Sequence, residues 1–271
     1  MNANLKYEQM EWRVAIPSYK RARVLCDRTL ALLRRHAIPP EKTHIFVASA
    51  EEEQEYLQTL PPEAYHIHVA EVGMAAVRNA ITAHFHVGAR LFCLDDDVKD
   101  LVELREGKLA PIQDLSAFIE TGFEEAVRRG VRLWGIYPVN NAYFMREAPT
   151  THLTYIVGCA WGIVNPGPIL QCTVDDKEDF QRSLCMYLLD GGVLRLNHAA
   201  PVTNYWTTPG GMQVARTKEG IARATKAFVE AYTGLARLRT KAHGDDIRLW
   251  DSRTHKTFGP EALAAYTPPK L

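Results

Sequence analysis

The stretch Leu91-Phe92-Cys93-Leu94-Asp95-Asp96-Asp97-Val98 constrains this 271-residue chain more than any other. Four consecutive apolar residues read as a strand covered on both faces. Such a strand belongs in a largely parallel sheet with helices on either side. Three carboxylates stand where the strand ends, and in these sheets ligands bind beyond the carboxyl ends of the strands. Carboxylates crowded there repel one another and lose hydration, so something positive should neutralise them. A hard divalent cation shared with a diphosphate meets that demand, because Mg²⁺ takes one or two carboxylates plus substrate oxygens. The competing reading is a solvated acidic turn.

The flanking patterns supply the rest of the sheet. Trp12-Arg13-Val14-Ala15-Ile16 is a β-rich run stopped by Pro17-Ser18, and Val24, Leu25, Thr29, Leu32, Leu33 and His36 then form one helical stripe. His44-Ile45-Phe46-Val47-Ala48 is a second strand. Ser49 caps the helix that follows, with Glu52 at the third helical position as in a capping box. Residues 65–70 alternate as a more exposed third strand, and Met74, Val77, Ala80, Ile81, His84 and Phe85 make another stripe, with Arg78 and Asn79 on a different side. Residues 99–111 read as a polar connection. A helix capped by Asp114 or Ser116 then leads to a strand at 131–137. Residues 139–153 read as a loop, and 154–164 as a strand interrupted by glycine. Asp175-Asp176-Lys177-Glu178-Asp179 opens a helix. A short strand follows at 193–196, then an unpatterned stretch at 197–213 and a helix at 219–236. Strands alternating with helices at this spacing predict an α/β fold with a mostly parallel central sheet flanked by helices.

Composition narrows the class. A chain 46% hydrophobic and 24% charged can bury an ordinary core. The first ten residues lack an apolar signal-peptide region, and the least polar run, 155–170, is broken by Gly158, Gly162, Pro166 and Pro168. A cytoplasmic protein without a membrane partner is therefore expected. Five scattered cysteines in no C-x-x-C pair read as reduced, mostly buried thiols. The pairs His66-x-His68 and His84-x-His86 read as structural or surface groups. A net charge of zero argues against coating nucleic acid by bulk charge, yet basic residues dominate 216–256.

Several pieces point to chemistry when taken in order. Ser18, Tyr19, Lys20 and Arg21 form a polar turn before the first helix, placed to receive a base or phosphate. Glu178 and Asp179 offer carboxylates at a helix start. Thr207, Thr208, Pro209, Gly210 and Gly211 suit a loop closing over a ligand.

As an ordered set, Ile16-Pro17-Ser18-Tyr19-Lys20-Arg21, Arg78-Asn79, Asp95-Asp96-Asp97, Gly158 with Gly162, and Glu178-Asp179 resemble a GT-A (Rossmann-like) nucleotide-sugar glycosyltransferase. More narrowly, these phrases with Phe46-Val47-Ala48 and Thr208-Pro209-Gly210-Gly211 are similar to the TET-associated glycosyltransferases of phages, which glycosylate 5-hydroxymethylpyrimidines in DNA. The resemblance implies one domain with a nucleotide-sugar half near 12–100, an acceptor and catalytic half near 131–215, and a basic C-terminal extension at 216–271.

The resemblance also implies roles. Pro17, Ser18, Tyr19 and Arg21 would form the nucleotide pocket, with Arg78 on a donor phosphate or ribose and Asn79 in support. Asp95 would orient ribose or sugar and share the metal, Mn²⁺ or Mg²⁺, with Asp97; Asp96 would assist. His198 is a further candidate ligand. Asp179 is the candidate base, with Glu178 second to it, and Gly210 and Gly211 would approach the diphosphate of a UDP-sugar. Tyr143, Trp161, Tyr205 and Trp206 are candidates to meet the acceptor, expected to be DNA carrying 5-hydroxymethylcytosine. A glycan or other soluble acceptor, and a non-catalytic nucleotide-binding module, are the alternatives.

Overall fold

The computed structural model of this chain describes residues 11–203, 217–241, 244–266 and 268; the side chains of Lys218 and Lys241 are outside that description. The first half runs β1 (Trp12–Pro17), α1 (Ala22–Asp27), α2 (Thr29–Arg35), β2 (Thr43–Val47), α3 (Ala50–Thr59), β3 (His66–Val69), α4 (Met74–His84) and β4 (Arg90–Leu94). It continues through a hairpin of β5 (Val98–Arg105) and β6 (Lys108–Pro111), then α5 (Leu115–Arg128), β7 (Leu133–Ile136), β8 (Thr150–His152) and β9 (Ala160–Val164). The remainder is α6 (Glu178–Asp190), β10 (Val193–Leu196), β11 (Ala199–Thr203), α7 (Lys218–Ala231), a second hairpin of β12 (Ala236–Lys241) and β13 (Gly244–Leu249), and α8 (Pro260–Ala264).

Among the described residues, eight strands form the central sheet in the order β3-β2-β1-β4-β9-β7-β10-β8. β3, β2, β1 and β4 are mutually parallel, as are β7 and β10, while β9 and β8 run against their neighbours. Because β9 is antiparallel to both β4 and β7, those two strands point the same way. The carboxyl ends of β1, β2, β4, β7 and β10 therefore share one edge of the sheet. The alternation of the strands sends side chains into two cores. Val14, Ile16, Phe92 and Leu94 join the helical layer of α1, α2, α3 and α5. Ala15, Phe46, Leu91 and Cys93 join the layer of α4, α6 and α7. This double coverage is what the all-apolar run 91–94 predicted.

Three expectations change. Residues 99–111 are the β5–β6 hairpin, which pairs with β11 from the unpatterned stretch 197–213 to make a second, three-stranded sheet. Exposed polar residues on one face hid its alternation. The single helix expected over 24–36 is broken at Arg28 (φ −117°, ψ −86°). Buried Thr29 sits at the break; its hydroxyl donates to the Asp95 carbonyl at 2.7 Å and accepts from the Val98 N–H at 3.1 Å. Tertiary bonds to the aspartate turn thus override helical continuity. Residues 154–159 are outside any strand, and only Ala160–Val164 enters the sheet. The five cysteines are free, four of them buried. Among the described residues no helix is long and apolar enough to cross a membrane.

The centre of the sheet is packed without slack. Trp134 is fully buried, and a methyl group placed on Gly162 would overlap its indole. Overpacking of this kind typically costs about 1–3 kcal/mol. Gly162→Ala is expected to lower the urea midpoint by that much stability, with an unchanged m-value.

Candidate active site

A cleft of about 370 Å³ opens along the shared carboxyl edge. It is lined by Pro17, Ser18, Tyr19 and Arg21 after β1, by Phe46, Val47 and Ala48 at the end of β2, and by Glu71, Val72, Gly73 and Met74 entering α4. Asp95, Asp96 and Asp97 form its floor after β4. Tyr155, Val157, Gly158, Cys159, Asp175, Lys177, Glu178 and Asp179 complete the lining.

The turn after β1 is held by a residue that its sequence position made look like an ordinary helix cap. Ser49 does cap α3 through the N–H of Glu52. The Glu52 carboxylate, however, is buried and accepts from the N–H of Ala48 and from that of Lys20, both at 2.8 Å. Lys20 is thereby kept in a left-handed conformation (φ 54°) that delivers Arg21 inward. One turn along α3, Tyr56 accepts from the Arg21 N–H at 3.0 Å and shares a 2.7 Å hydrogen bond with Ser18.

The three aspartates diverge. Asp96 is buried, accepting from Ser18 Oγ at 2.7 Å and from Arg21 Nη1 at 3.2 Å. Burial pushes its carboxyl up to about 7, against the pull of Arg21 and Ser18. Asp97 faces the cleft within 3.5 Å of the same guanidinium. Asp95 accepts from Arg78 Nη2 at 2.9 Å. Burial raises both of these carboxyls as well, with Arg21 countering at Asp97 and Arg78 at Asp95.

Arg78 lies beneath the cleft and does not line it. From the middle of α4 it donates to Asp95, to the Gly158 carbonyl at 3.1 Å and to Glu178 at 3.3 Å. Glu178 also accepts from Arg182 at 2.6 Å. The Arg182 guanidinium stacks 3.7 Å from the Trp161 ring centroid, and that of Arg78 lies 5.5 Å away. Trp161, expected to meet the acceptor, is accordingly 4% exposed, donates to the Gly158 carbonyl and packs against the arginines without lining the cleft. Asn79 pins α4 to the Cys172 backbone by two 2.8 Å hydrogen bonds.

Across the cleft Asp179 accepts from the Tyr155 hydroxyl at 2.5 Å and from the Phe180 N–H at 2.9 Å. Burial, reinforced by Glu178, raises its carboxyl above the ordinary range. Asp175 accepts from the Ala75 N–H, and Gly73 (φ 121°) leaves it room: a Cβ there would lie 3.0 Å from its carboxylate.

Other expected residues lie elsewhere. His198 turns between β10 and β11 and packs edge-on against Phe118. Antiparallel pairing places Thr203, not His198, beside Val98 and hence beside Asp97, while the His198 carbonyl bonds to Leu104. Tyr143 is 87% exposed in the loop after β7, against Phe144. It does not line the cleft, although its loop leaves the same sheet edge. Tyr205, Trp206, Gly210 and Gly211 lie outside the described residues. Tyr56, Thr29, Tyr155 and Arg182 also hold the site together, and none was an expected site residue. Only Arg182 left a local signal, four residues after Glu178 on one helix face.

Among the described residues no three carboxylates of the cleft converge closely enough to hold an ion unaided. Asp95 and Asp97 still suit Mn²⁺ or Mg²⁺. Both are hard oxygen donors facing the cleft, both have their charged form disfavoured by burial, and such ions complete their shells with substrate oxygens.

No family model and no curated protein matches the sequence. Among solved structures the chain is similar to S. aureus TarS residues 1–349, 14% identical with a TM-score of 0.47 over 71% of this chain and 59% of that one. It is also similar to the mannosyltransferase PcManGT from Pyrobaculum calidifontis in complex with GDP-Man and Mn²⁺, 14% identical with a TM-score of 0.44 over 71% and 54%. A mycobacterial protein is 9% identical with a TM-score of 0.44 over 93% and 88%. The chain thus spans less than two thirds of the length of the first two.

Removing one partner of a buried ion pair leaves an uncompensated charge and costs about 3–5 kcal/mol. Arg78→Ala is expected to destabilise the fold by that order in urea denaturation. Arg78→Lys should recover only part of it, because one ammonium cannot reach Asp95, Gly158 and Glu178 together.

Proposed function

We propose that this chain is a GT-A-type glycosyltransferase that moves a sugar from a UDP-sugar to a hydroxyl acceptor, and that the acceptor is 5-hydroxymethylcytosine in DNA. One observation carries the donor half. A cleft at the carboxyl edge of a mostly parallel sheet is lined by Ser18, Arg21, Asp95 and Asp97 and also by Asp179. The first group suits a nucleoside diphosphate and its counter-ion, and the second suits a proton acceptor.

In an inverting displacement the acceptor oxygen forms a bond to the anomeric carbon as the bond from that carbon to the diphosphate breaks. Asp179 takes the hydroxyl proton, a role favoured by its raised carboxyl, while the Tyr155 hydroxyl fixes which oxygen faces the acceptor. Arg21 is placed to meet charge on the nucleotide, and Arg78 keeps Asp95 and Glu178 in register from below. Asp97, with Asp95, would hold Mn²⁺ or Mg²⁺, which when bound neutralises charge on the departing diphosphate.

The DNA acceptor is supported by the sequence resemblance and by two surface features. Tyr143 and Phe144 are exposed in the loop leaving the cleft edge. Arg237 and Arg248, paired across the β12–β13 hairpin, flank exposed Trp250 at 5.1 and 5.8 Å. An ion pair from Lys177 to Asp246 at 3.2 Å ties this hairpin to the cleft rim. Cations beside aromatic faces suit a strand whose target base must be unstacked to react.

Incubation with UDP-sugars and Mn²⁺ should yield metal-dependent release of UDP, abolished in Asp97→Ala and retained in the surface control Arg128→Ala. Mass analysis of digested DNA should find a hexosylated nucleoside only where 5-hydroxymethylcytosine was present. UDP release without that product would transfer the proposal to a glycan acceptor, and no release would end it. Asp179→Asn should cost about 10²–10⁴ in rate, as expected for loss of a general base. Wild-type kcat/KM should fall as pH drops through the raised Asp179 value, because only the carboxylate accepts a proton. Tyr155→Phe should move that acid limb to higher pH, since a hydrogen bond favouring the carboxylate is lost.

A further inference from the structure

Three of the histidines that read from sequence as structural or surface groups, His66, His68 and His84, converge in space with His44, over β2 and β3 behind cleft-lining Phe46. Parallel register sets His44 beside His66 and Phe46 beside His68, so these four side chains share one face of β2 and β3. The last residue of α4, His84, closes over that face, its ring 4.0 Å from that of His68 and 5.8 Å from that of His44. Phe46 and Phe85 wall the group on the sides.

One ring nitrogen from each of His44, His68 and His84 lies within 4.8 Å of the others, and His44 Nδ1 is 2.9 Å from His68 Nε2. The other nitrogen of His44 is buried with no hydrogen-bond partner among the described residues, which is costly for an imidazole stacked on further imidazoles.

We propose that His44, His68 and His84 form a binding site for a divalent transition-metal ion of the zinc class, separate from the donor cleft. Imidazole nitrogen suits Zn²⁺, Co²⁺, Ni²⁺ and Cu²⁺ over Mg²⁺, Mn²⁺ or Ca²⁺. At Zn–N bonds of about 2.0–2.1 Å, two ligand nitrogens on a tetrahedral ion stand about 3.3 Å apart. His44 and His68 need to part by only a few tenths of an ångström. His84, exposed on the final helical turn, is free to swing inward. Three protein ligands leave the fourth position to water or a small anion. Phe46, whose ring lies 4.9 Å from that of His68 and 5.6 Å from that of His84, also lines the cleft, and His84 follows cleft-lining Val77 by seven residues of helix, about 10 Å. An ion here ties the edge strand β3 to β2 and fastens the far end of the helix whose start shapes the cleft.

The test titrates Co²⁺ into the full-length, metal-stripped protein with Mg²⁺ in excess to occupy oxygen sites. Visible ligand-field absorption should saturate at one equivalent and be displaced by Zn²⁺. Affinity should fall at least tenfold in His68→Gln and in His84→Gln, and be unchanged in His86→Gln and Asp97→Ala. His84→Gln alters an exposed side chain, so an unchanged circular dichroism spectrum should show that its fold is intact. Zn²⁺ should raise the melting temperature of the wild type and leave that of His84→Gln in place. Absence of the band, or a band that survives both His68→Gln and His84→Gln, would overturn the proposal.

Discussion

The cleft depends on one buried arginine. Arg78 reaches from α4 to the carboxylate after β4, to the carbonyl of Gly158 and to Glu178 at the start of α6, so three chain segments meet on one guanidinium. Its planar fork can bond several partners at once, and burial makes each of those charges costly unless paired. Asp95 and Glu178 are thus held at fixed positions although like charges would separate them in water. Arg182 completes the arrangement from the next turn of α6, and Trp161 supplies a flat face beneath both cations.

Around this pivot the backbone is gripped by side chains from neighbouring elements. Glu52 and Tyr56 of α3 fix the turn after β1, and Thr29 fixes the aspartate turn at the cost of a continuous helix. Ser18 and Arg21 hold Asp96 buried at the cleft floor, while Asp95 pairs with Arg78 and Asp97 stays beside Arg21. Three adjacent identical residues thereby acquire different environments. Their difference arises from what each one meets, and nothing in the composition of the run distinguishes them.

Much of the fold was legible because it rests on periodicity. The strands at 12–17, 43–47, 66–69 and 90–94 and the capped helices after Ser49 and Asp114 follow from alternation, apolar stripes and cap chemistry, all of which act over a few residues. The second sheet was not legible, since β11 pairs with the β5–β6 hairpin across about a hundred residues and the hairpin carries few apolar side chains on its outer face. Of the expected site residues, Ser18, Arg21, Asp95, Asp97 and Asp179 line one cleft, whereas Trp161 and His198 do not. An aromatic or a histidine beside a loop reads alike in sequence whether it faces solvent, an arginine or a helix.

The sequence by itself determined an α/β chain with a doubly covered strand ending in three carboxylates, because hydrophobic period and charge placement are local properties. Only the tertiary structure decided which carboxylate is buried, that Arg78 works from below the cleft, and that four scattered histidines gather over one face of β2 and β3. Each of those outcomes depends on strand order and on the end of the sheet to which a residue is carried. Pairings between distant segments set both, and no window of neighbouring residues contains them.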